Sequence, residues 1–286
     1  TIKGLNPGMR SNIDVNGIND LLGPGGGSKL VARNAEAAIK VETGMKGVKI
    51  MNLMVSGGTE AKNIGIHFAG ATDNGMLSNI IGINLHTGVK IEQAKNMQIV
   101  NCWVCELPNS IELIGGENIV VKNCQLGAQP TGITCKVQEV NKLSFINNQV
   151  YPDGRENLVL DACNNCVIEG NNFKSYYNGI LVLNGNDNTV NKNIFWLTGA
   201  VQNQLLDHGD DFGIINVKGN NNMVASNSLS CEWAYAGAVT VNAVQGTGNV
   251  FKNCFVDNLE SYRVFLVNAQ TEVSNCVSSD KVSIVE

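Results

Sequence analysis

The chain has 286 residues, of which 43% are hydrophobic and 16% are charged, and its formal net charge is −5. The hydrophobic fraction supports a large core and argues against global disorder. The acidic balance, without any cluster of Lys and Arg, argues against a nucleic-acid partner. No apolar run approaches the roughly 20 residues of a membrane helix, so we expect no membrane partner either.

The chain begins with TIKGLNPGMRSN, which lacks the apolar segment of a signal peptide. From the abrupt start we expect that an N-terminal portion is missing, which leaves a secreted and a cytoplasmic bacterial protein both open. Elongated all-β folds of this length often form one domain. We therefore predict a single domain over residues 1–286.

Two segments are predicted to depart from the regular structure. Residues 55–98 follow a strand-like stretch, KIMNLMV (49–55), and precede the first copy of a repeated motif. Residues 197–215 separate two later copies of that motif by a longer interval than the rest. Long excursions from a rigid scaffold often carry function.

A short motif recurs between residues 100 and 278. Fragments such as VNCWV (100–104), KNCQL (122–126) and SNCVS (274–278) have Asn at the second place, and apolar residues follow. Most intervals are 22 to 26 residues, with one of 34. The aligned asparagines are Asn101, Asn123, Asn148, Asn171, Asn193, Asn227, Asn253 and Asn275.

This period predicts an all-β fold. Each period holds two or three short apolar stretches, such as NIVVKNCQL and then TGITCKV, as strands do. Short strands coiled along one axis form a parallel β-helix, which is a solenoid. Asparagines stacked at one turn can hydrogen-bond to one another and to the backbone, and the cysteine that often follows is small enough to pack beside the turn.

The nine cysteines are predicted to be buried thiols. Four of them occur in the same Asn-Cys context, which indicates a packing role in the repeat. The single CxxC motif, Cys163 to Cys166, has no second pair and no nearby His. A zinc site usually needs such further ligands, so we expect no metal and no cofactor.

The stretch IELIG places Glu112 between Ile111 and Leu113. Strand alternation would bury the two apolar side chains and direct the glutamate outward. A solvated surface glutamate and a general acid or nucleophile on a solenoid face are both compatible with this pattern. His67 and His86 are isolated in the sequence, and we expect structural or surface roles for them.

The densest polar cluster, in LDHGDDFG, contains Asp207, His208, Asp210 and Asp211. Three carboxylates could bind Ca²⁺ through oxygen ligands, whereas a polar loop that caps the insertion is the simpler interpretation. An EF-hand pattern is absent, and no Arg that could serve as a lyase base is close in sequence.

Several runs resemble one enzyme family. They include IELIGGENIVVKNCQLGAQPTGITC, NNQVYPDGRENLVLDACNNCVIEGNNF and DDFGIINVKGNNNMVASNSL. Over roughly residues 84–260 the chain is similar to inulin fructotransferase and its relatives that hydrolyse difructose dianhydrides. The CNNC and GNNN signatures in their coil context carry most of this resemblance.

The resemblance implies a right-handed parallel β-helix that assembles as a homotrimer with active sites at subunit boundaries. The transferase converts the terminal difructose of inulin to a cyclic dianhydride, and sister enzymes hydrolyse that product. An Asp followed eleven residues later by a Glu carries the chemistry; the Glu matches Glu112, and the Asp matches Asn101. By the same resemblance, Asp210, Asp211 and Tyr177 are expected to bind sugar.

Asn101 departs from the family pattern, because an amide cannot ionise and so cannot act as a carboxylate. Asn101 could be an engineered Asp-to-Asn change, a natural residue in a relative with altered activity, or the product of a shifted alignment. The functional alternatives are the transferase, the hydrolase, a catalytically silent carbohydrate-binding β-helix, and a purely structural solenoid.

Overall fold

The computed structural model describes residues 13–14, 28–32, 36–57, 63–177, 179–198, 212–231, 239–257, 263–277 and 282–285. These residues form strands and turns and contain no helix, so they contain no helix that could cross a membrane. The strands are β1 (Ile13–Asp14), β2 (Ser28–Ala32), β3 (Ala37–Val41), β4 (Lys49–Gly57), β5 (Ile64–Phe68), β6 (Met76–Ile83), β7 (Thr87–Val100), β8 (Trp103–Lys122), β9 (Gln125–Gln138), β10 (Asn141–Ile146), β11 (Gln149–Val150), β12 (Glu156–Asp161), β13 (Val167–Glu169), β14 (Asn172–Ser175), β15 (Leu181–Asn184), β16 (Thr189–Asn191), β17 (Ile194–Leu197), β18 (Ile215–Val217), β19 (Met223–Ala225), β20 (Ser228–Cys231), β21 (Val239–Ala243), β22 (Val250–Lys252), β23 (Phe255–Asp257), β24 (Arg263–Asn268), β25 (Glu272–Ser274) and β26 (Val282–Val285).

The strands stack in parallel register into three sides of a coil. Side 1 contains β3, β5, residues 87–92, 109–114 and 133–138, and then β12, β15, β18, β21, β24 and β26. Side 2 contains residues 49–51, 76–78, 97–100 and 119–122, and then β10, β13, β16, β19, β22 and β25. Side 3 contains β2, residues 53–56, 81–82, 103–107 and 125–128, and then β11, β14, β17, β20 and β23.

A single apolar core fills the coil. Most strands alternate buried and more exposed positions, so one residue in two points inward, whereas β5 and β18 are buried throughout. Aromatic rings continue this stacking: Phe173 and Phe195 lie in adjacent coils with ring centroids 4.9 Å apart and nearly parallel planes. The sequence-based prediction of an all-β parallel β-helix is confirmed.

The predicted asparagine ladder exists at the corner between sides 2 and 3. Asn148, Asn171, Asn193 and Asn227 are buried, and each of the first three amide nitrogens donates to the amide oxygen of the next asparagine at 2.9–3.0 Å. Each amide nitrogen also donates to a backbone carbonyl. The ladder therefore satisfies polar groups that would otherwise be buried without a partner.

The structure differs from the predicted alignment by one residue in half of the repeats. The four ladder asparagines are in register with Cys102 and Cys124, because the backbone N–H of Cys124 donates to Asn148. The residue before each ladder position lies outside the core, and this outer position holds the other four asparagines of the alignment: Asn101, Asn123, Asn253 and Asn275. The repeat thus has two adjacent turn positions, and asparagine occurs in both.

The outer position adopts a left-handed backbone conformation in every coil. Its φ angles lie between 53° and 67°. Asn and Gly tolerate this region, because other side chains meet steric resistance there. The series is Asn52, Asn79, Asn101, Asn123, Asn147, Gly170, Lys192, Ser226, Asn253 and Asn275.

The described cysteines behave as expected from the repeat. Eight cysteines are free and buried. Cys163 and Cys166 of the CxxC motif lie in the corner between sides 1 and 2, where the backbone N–H of Cys166 donates to Asn188. Among the residues that the structure describes, no group of three metal-ligating side chains comes together.

The two predicted departures have different outcomes. Residues 63–98 continue the regular coils through β5, β6 and β7, because their apolar residues pair in register with the coils that follow. The prediction of an excursion at 55–98 therefore does not hold for this part. Most of the predicted insertion at 197–215, residues 199–211, lies outside the described residues.

Candidate functional site

Glu112 lies on side 1, where β8 runs between β7 and β9. Its chain neighbours Ile111 and Leu113 are 1% and 0% exposed in the core, whereas Glu112 is half-buried on the outer surface. Strand alternation therefore directs the carboxylate away from the core, as the sequence predicts. Because β8 is paired along both edges here, the backbone that carries Glu112 is fixed.

Two lysines flank Glu112 across the paired strands. Lys90 of β7 and Lys136 of β9 are its partners in register. Neighbouring strands are about 4.8 Å apart, so the three side chains leave the same face as direct neighbours. The row begins with Lys40 of β3, continues through His67 to Lys90, and changes to apolar side chains at Val159 and Val182 after Lys136. Charge on side 1 is thus concentrated around Glu112.

A second carboxylate, Glu92, lies in the same group. Lys90 Nζ is 3.0 Å from Glu92 Oε1, and His67 Nε2 is 3.1 Å from Glu92 Oε2. A carboxylate only accepts hydrogen bonds, so His67 Nε2 is the donor. The side chains of His67, Lys90 and Glu92 are 6%, 23% and 30% exposed. We call His67, Lys90, Glu92, Glu112 and Lys136 the side-1 charged cluster.

The charges in this cluster shift two pKa values. The hydrogen bond from Lys90, and then that from His67, hold the pKa of Glu92 below its usual value of 4.5. Burial alone would lower the pKa of Lys90, but its hydrogen bond to Glu92 and the charges of Glu92 and Glu112 raise it above 10.5. Lys90 therefore interacts with both carboxylates.

Within one chain, the structure does not bring Asn101 and Glu112 together. Asn101 occupies the exposed outer position of the corner between sides 2 and 3. In a coil with three sides, that corner is opposite side 1, and the apolar core lies between them. The left-handed conformation of Asn101, with a φ of 55°, also accounts for an asparagine there without reference to catalysis.

The other predicted sugar-binding residues are placed only in part. Tyr177 is 8% exposed, and its backbone N–H donates to the hydroxyl of Ser175 at 3.0 Å. Asp210 and Asp211 lie outside the described residues, as does the rest of the predicted calcium-binding cluster. A described aromatic with a cationic neighbour is Trp196 on side 3, whose ring centroid is 4.8 Å from Lys174 Nζ.

The sequence-based reasoning did not assign four of the five members of the side-1 charged cluster, His67, Lys90, Glu92 and Lys136, to a functional site. His67, Lys90 and Glu92 all belong to the segment that was predicted to leave the coil. The missed signal is the period itself: Lys90 precedes Glu112 by 22 residues, which is one coil. Extending the repeat backward would have placed Lys90 directly beside Glu112.

The fold is a parallel β-solenoid, and the side-1 charged cluster lies on the outer face of one of its three sides. A family model described as "Right handed beta helix region" matches residues 131–284, which is more than half of the chain. The chain belongs to this right-handed β-helix family. A comparison with curated proteins found no match.

Solved structures with a similar fold include DFA-IIIase from Arthrobacter chlorophenolicus A6. The form without its lid is 22% identical with a TM-score of 0.73, covering 88% of this chain and 69% of that chain. The complex with GF2 has the same identity and coverage and a TM-score of 0.71. A cysteine-to-alanine mutant is 20% identical with a TM-score of 0.71, covering 98% of this chain and 78% of that chain. At these identities the similarity shows a shared fold.

Proposed function

We propose that this protein is a fructan-processing enzyme that acts on difructose units, either by hydrolysing a difructose dianhydride or by forming one from the end of inulin. The observation that carries the proposal is the position of Glu112. The residue matched by resemblance to the family's catalytic glutamate points outward from a rigid strand, within a charged cluster. Solved neighbours of the same fold bind DFA-III, a difructose dianhydride, and GF2, which supports a carbohydrate substrate.

The proposed reaction begins with proton donation by Glu112. In its protonated form, Glu112 gives its proton to the glycosidic oxygen while the bond from that oxygen to C2 of fructose breaks, and the bonding electrons stay on the oxygen. Positive charge then develops at C2, where a carboxylate stabilises it. A nucleophile adds to C2 and returns a proton to Glu112, so no proton is gained or lost by the enzyme.

The nucleophile decides between the two reactions. Water at C2 gives hydrolysis of the dianhydride, whereas a hydroxyl of the adjoining fructose closes the ring and gives the dianhydride. Binding both fructose units in one site makes the second attack effectively unimolecular. Exclusion of water from the site would favour ring closure. The name DFA-IIIase of the solved neighbours favours hydrolysis as the first reaction to test.

The direct test is product analysis by chromatography after incubation with inulin and, separately, with DFA-III. We expect a dianhydride from inulin or a linear difructose from DFA-III. The Glu112→Gln variant should lose at least about a hundredfold in rate, because it keeps the shape of the side chain and removes the proton. The matched control is Glu117→Gln, since Glu117 is also on β8 and pairs with a lysine at 2.8 Å, but lies outside side 1.

Two results would contradict the proposal. Binding of oligofructose in calorimetry without turnover in any variant would indicate a catalytically silent carbohydrate-binding β-helix. Neither binding nor turnover would indicate a structural solenoid. The homotrimer implied by the family resemblance is a separate proposal. Light scattering during gel filtration tests it, with a monomer mass as the contradicting result.

A further inference from the structure

The side-1 charged cluster contains two carboxylates, Glu92 and Glu112, on one outer face. Glycosyl chemistry ordinarily needs two carboxyl groups, and the amide of Asn101 cannot supply one. Lys90 is directly opposite Glu112, and Glu92 lies two residues further along β7. With strands about 4.8 Å apart and a rise of about 3.3 Å per residue, the Cα atoms of Glu92 and Glu112 are roughly 8 Å apart. Both side chains leave the same outer face, because Ile91 between Lys90 and Glu92 is buried in the core.

That spacing suits glycosyl chemistry. The two carboxyl groups of glycosidases are about 5 to 9.5 Å apart, with the shorter spacing in retaining enzymes and the longer in inverting ones. The roughly 8 Å is a Cα separation, and glutamate side chains on neighbouring strands can place their carboxyl groups within the range of glycosidases. Asn101, by contrast, lies at the opposite corner of the coil and carries no charge.

In the part of the chain that the structure describes, Glu92 is held by two charged or polar partners, Lys90 on its own strand and His67 in the preceding coil. Its partners Lys90 and His67 bond to different oxygens, so the orientation of the carboxylate is fixed. Among the described residues, the buried Nδ1 of His67 makes no hydrogen bond, so the only polar contact of that ring is to Glu92. The pair of Glu117 and Lys142 is more open, at 39% and 54% exposure.

We propose that Glu92 is the second catalytic carboxylate of this protein, acting with Glu112 on side 1, and that His67 and Lys90 are positioning residues for it. The inference rests on the proposed function and identifies the group that stabilises positive charge at C2 while Glu112 donates its proton. Glu92 changes no bonds in this role, so the proton and electron balance of the reaction is unchanged. Asn101 is then a structural corner residue with no part in the chemistry.

The chemical state of Glu92 fits this role. Its pKa is lowered by the hydrogen bonds from Lys90 and His67, so the group is a carboxylate throughout the neutral range. A fixed negative charge beside a forming positive charge lowers the barrier, because the stabilisation grows as the charge develops.

The test compares Glu92→Gln with Glu117→Gln under the assay conditions of the previous section. We expect Glu92→Gln to lower kcat at least about a hundredfold, while the dissociation constant for oligofructose in calorimetry changes by less than about threefold. A purely structural role would instead weaken oligofructose binding and leave kcat at saturating substrate within about tenfold of the wild-type value. Glu92→Asp should recover part of kcat, and Glu117→Gln should leave kcat within about twofold of the wild-type value.

The outcomes separate this inference from the proposed function. Wild-type turnover that survives in Glu92→Gln would overturn the role of Glu92 and leave the fructan-processing function standing. An inert wild-type protein that becomes active as Asn101→Asp would also overturn it, since the missing carboxylate would then belong at position 101. Absence of turnover and binding in every variant would contradict the proposed function itself.

Discussion

At the residue scale, one amino acid serves two different purposes in this fold. Asparagine at the outer corner position accepts a left-handed backbone that most side chains resist. Asparagine one residue later is buried and links one coil to the next through its amide. The two roles require different properties: conformational tolerance in the first case and paired donor and acceptor atoms in the second.

A substitution in the inner ladder should therefore be costly. Asn171→Ala removes the acceptor for the backbone N–H and the side chain of Asn148. It also removes the side-chain donor to Asn193, whose amide oxygen keeps only the backbone N–H of residue 171. We expect a loss of about 2 to 4 kcal/mol in the free energy of unfolding, because buried polar groups lose their partners. Urea denaturation followed by circular dichroism measures this loss.

The matched control is Asn123→Gly at the outer position. Glycine adopts the same backbone conformation, and the Asn123 side chain is exposed, so the free energy of unfolding should change by less than about 1 kcal/mol. Equal losses in the two variants would show that the inner hydrogen bonds contribute no more than the outer turn.

These two roles explain what the sequence could and could not predict. The period and the ladder follow from the recurrence of asparagine. The register of the ladder does not follow from that recurrence, because pairs such as Asn147 and Asn148 place asparagine at both turn positions. The sequence alone does not tell which of the two asparagines is buried. Glu112 was placed correctly on an outer face because Ile111 and Leu113 fix the alternation of its strand.

At the scale of the strand, side 1 changes character along the solenoid. Its outward row is polar or charged from Lys40 to Lys136 and becomes apolar at Val159. The coil of β5 and β6, which carries His67, lacks the Asn-Cys pair, and that pair first appears at Asn101 and Cys102 after β7. In the coil of β6, for example, Ile80 occupies the inner corner position. Apolar packing therefore maintains the fold where the Asn-Cys pair is absent.

The charged part of side 1 makes stability depend on pH. The pKa of Glu92 is lower in the folded chain than its usual 4.5, so its stabilising contribution is complete above that value and is lost as pH falls through the lower, folded-state pKa. The wild-type protein should therefore be more stable than Glu92→Gln near pH 7, and the difference should shrink below roughly pH 4.5.

Urea unfolding of both proteins between pH 3 and pH 7 measures this difference. Glu117→Gln is the comparison, since the lowered pKa of Glu117 comes from Lys142 at a solvent-exposed site, where screening weakens the interaction. A difference in the free energy of unfolding between wild type and Glu92→Gln that stays constant down to pH 3 would show that the charge of Glu92 is not the source of the stabilisation.

At the scale of the whole molecule, each coil contacts its neighbours above and below, and the contacts repeat. Stability in such a fold is close to a sum of coil and interface contributions. Removal of one complete coil should therefore preserve the architecture. Deleting residues 149–171 joins Asn148 directly to Asn172, which is in register with Gln149, so the ladder continues from Asn148 to Asn193.

We expect this deletion variant to fold with the strand signature of the parent in circular dichroism. Its urea m-value should be lower, since less surface is exposed on unfolding. Deleting only residues 160–171 is the control: it breaks the register between sides and should give an unfolded or aggregated chain. Loss of folding in the complete-coil deletion alone would show that the coils are not interchangeable.

The inner ladder also has a polarity. Every amide oxygen from Asn148 to Asn227 faces the coil before it, where the N–H of Cys124 or of the preceding asparagine lies. The carbonyl dipoles consequently align along the axis, and each polarises the next. The ladder can therefore be extended in one direction only. Two fragments of the solenoid would match if the last coil of one met the first coil of the other, whereas two last coils would place donors against donors.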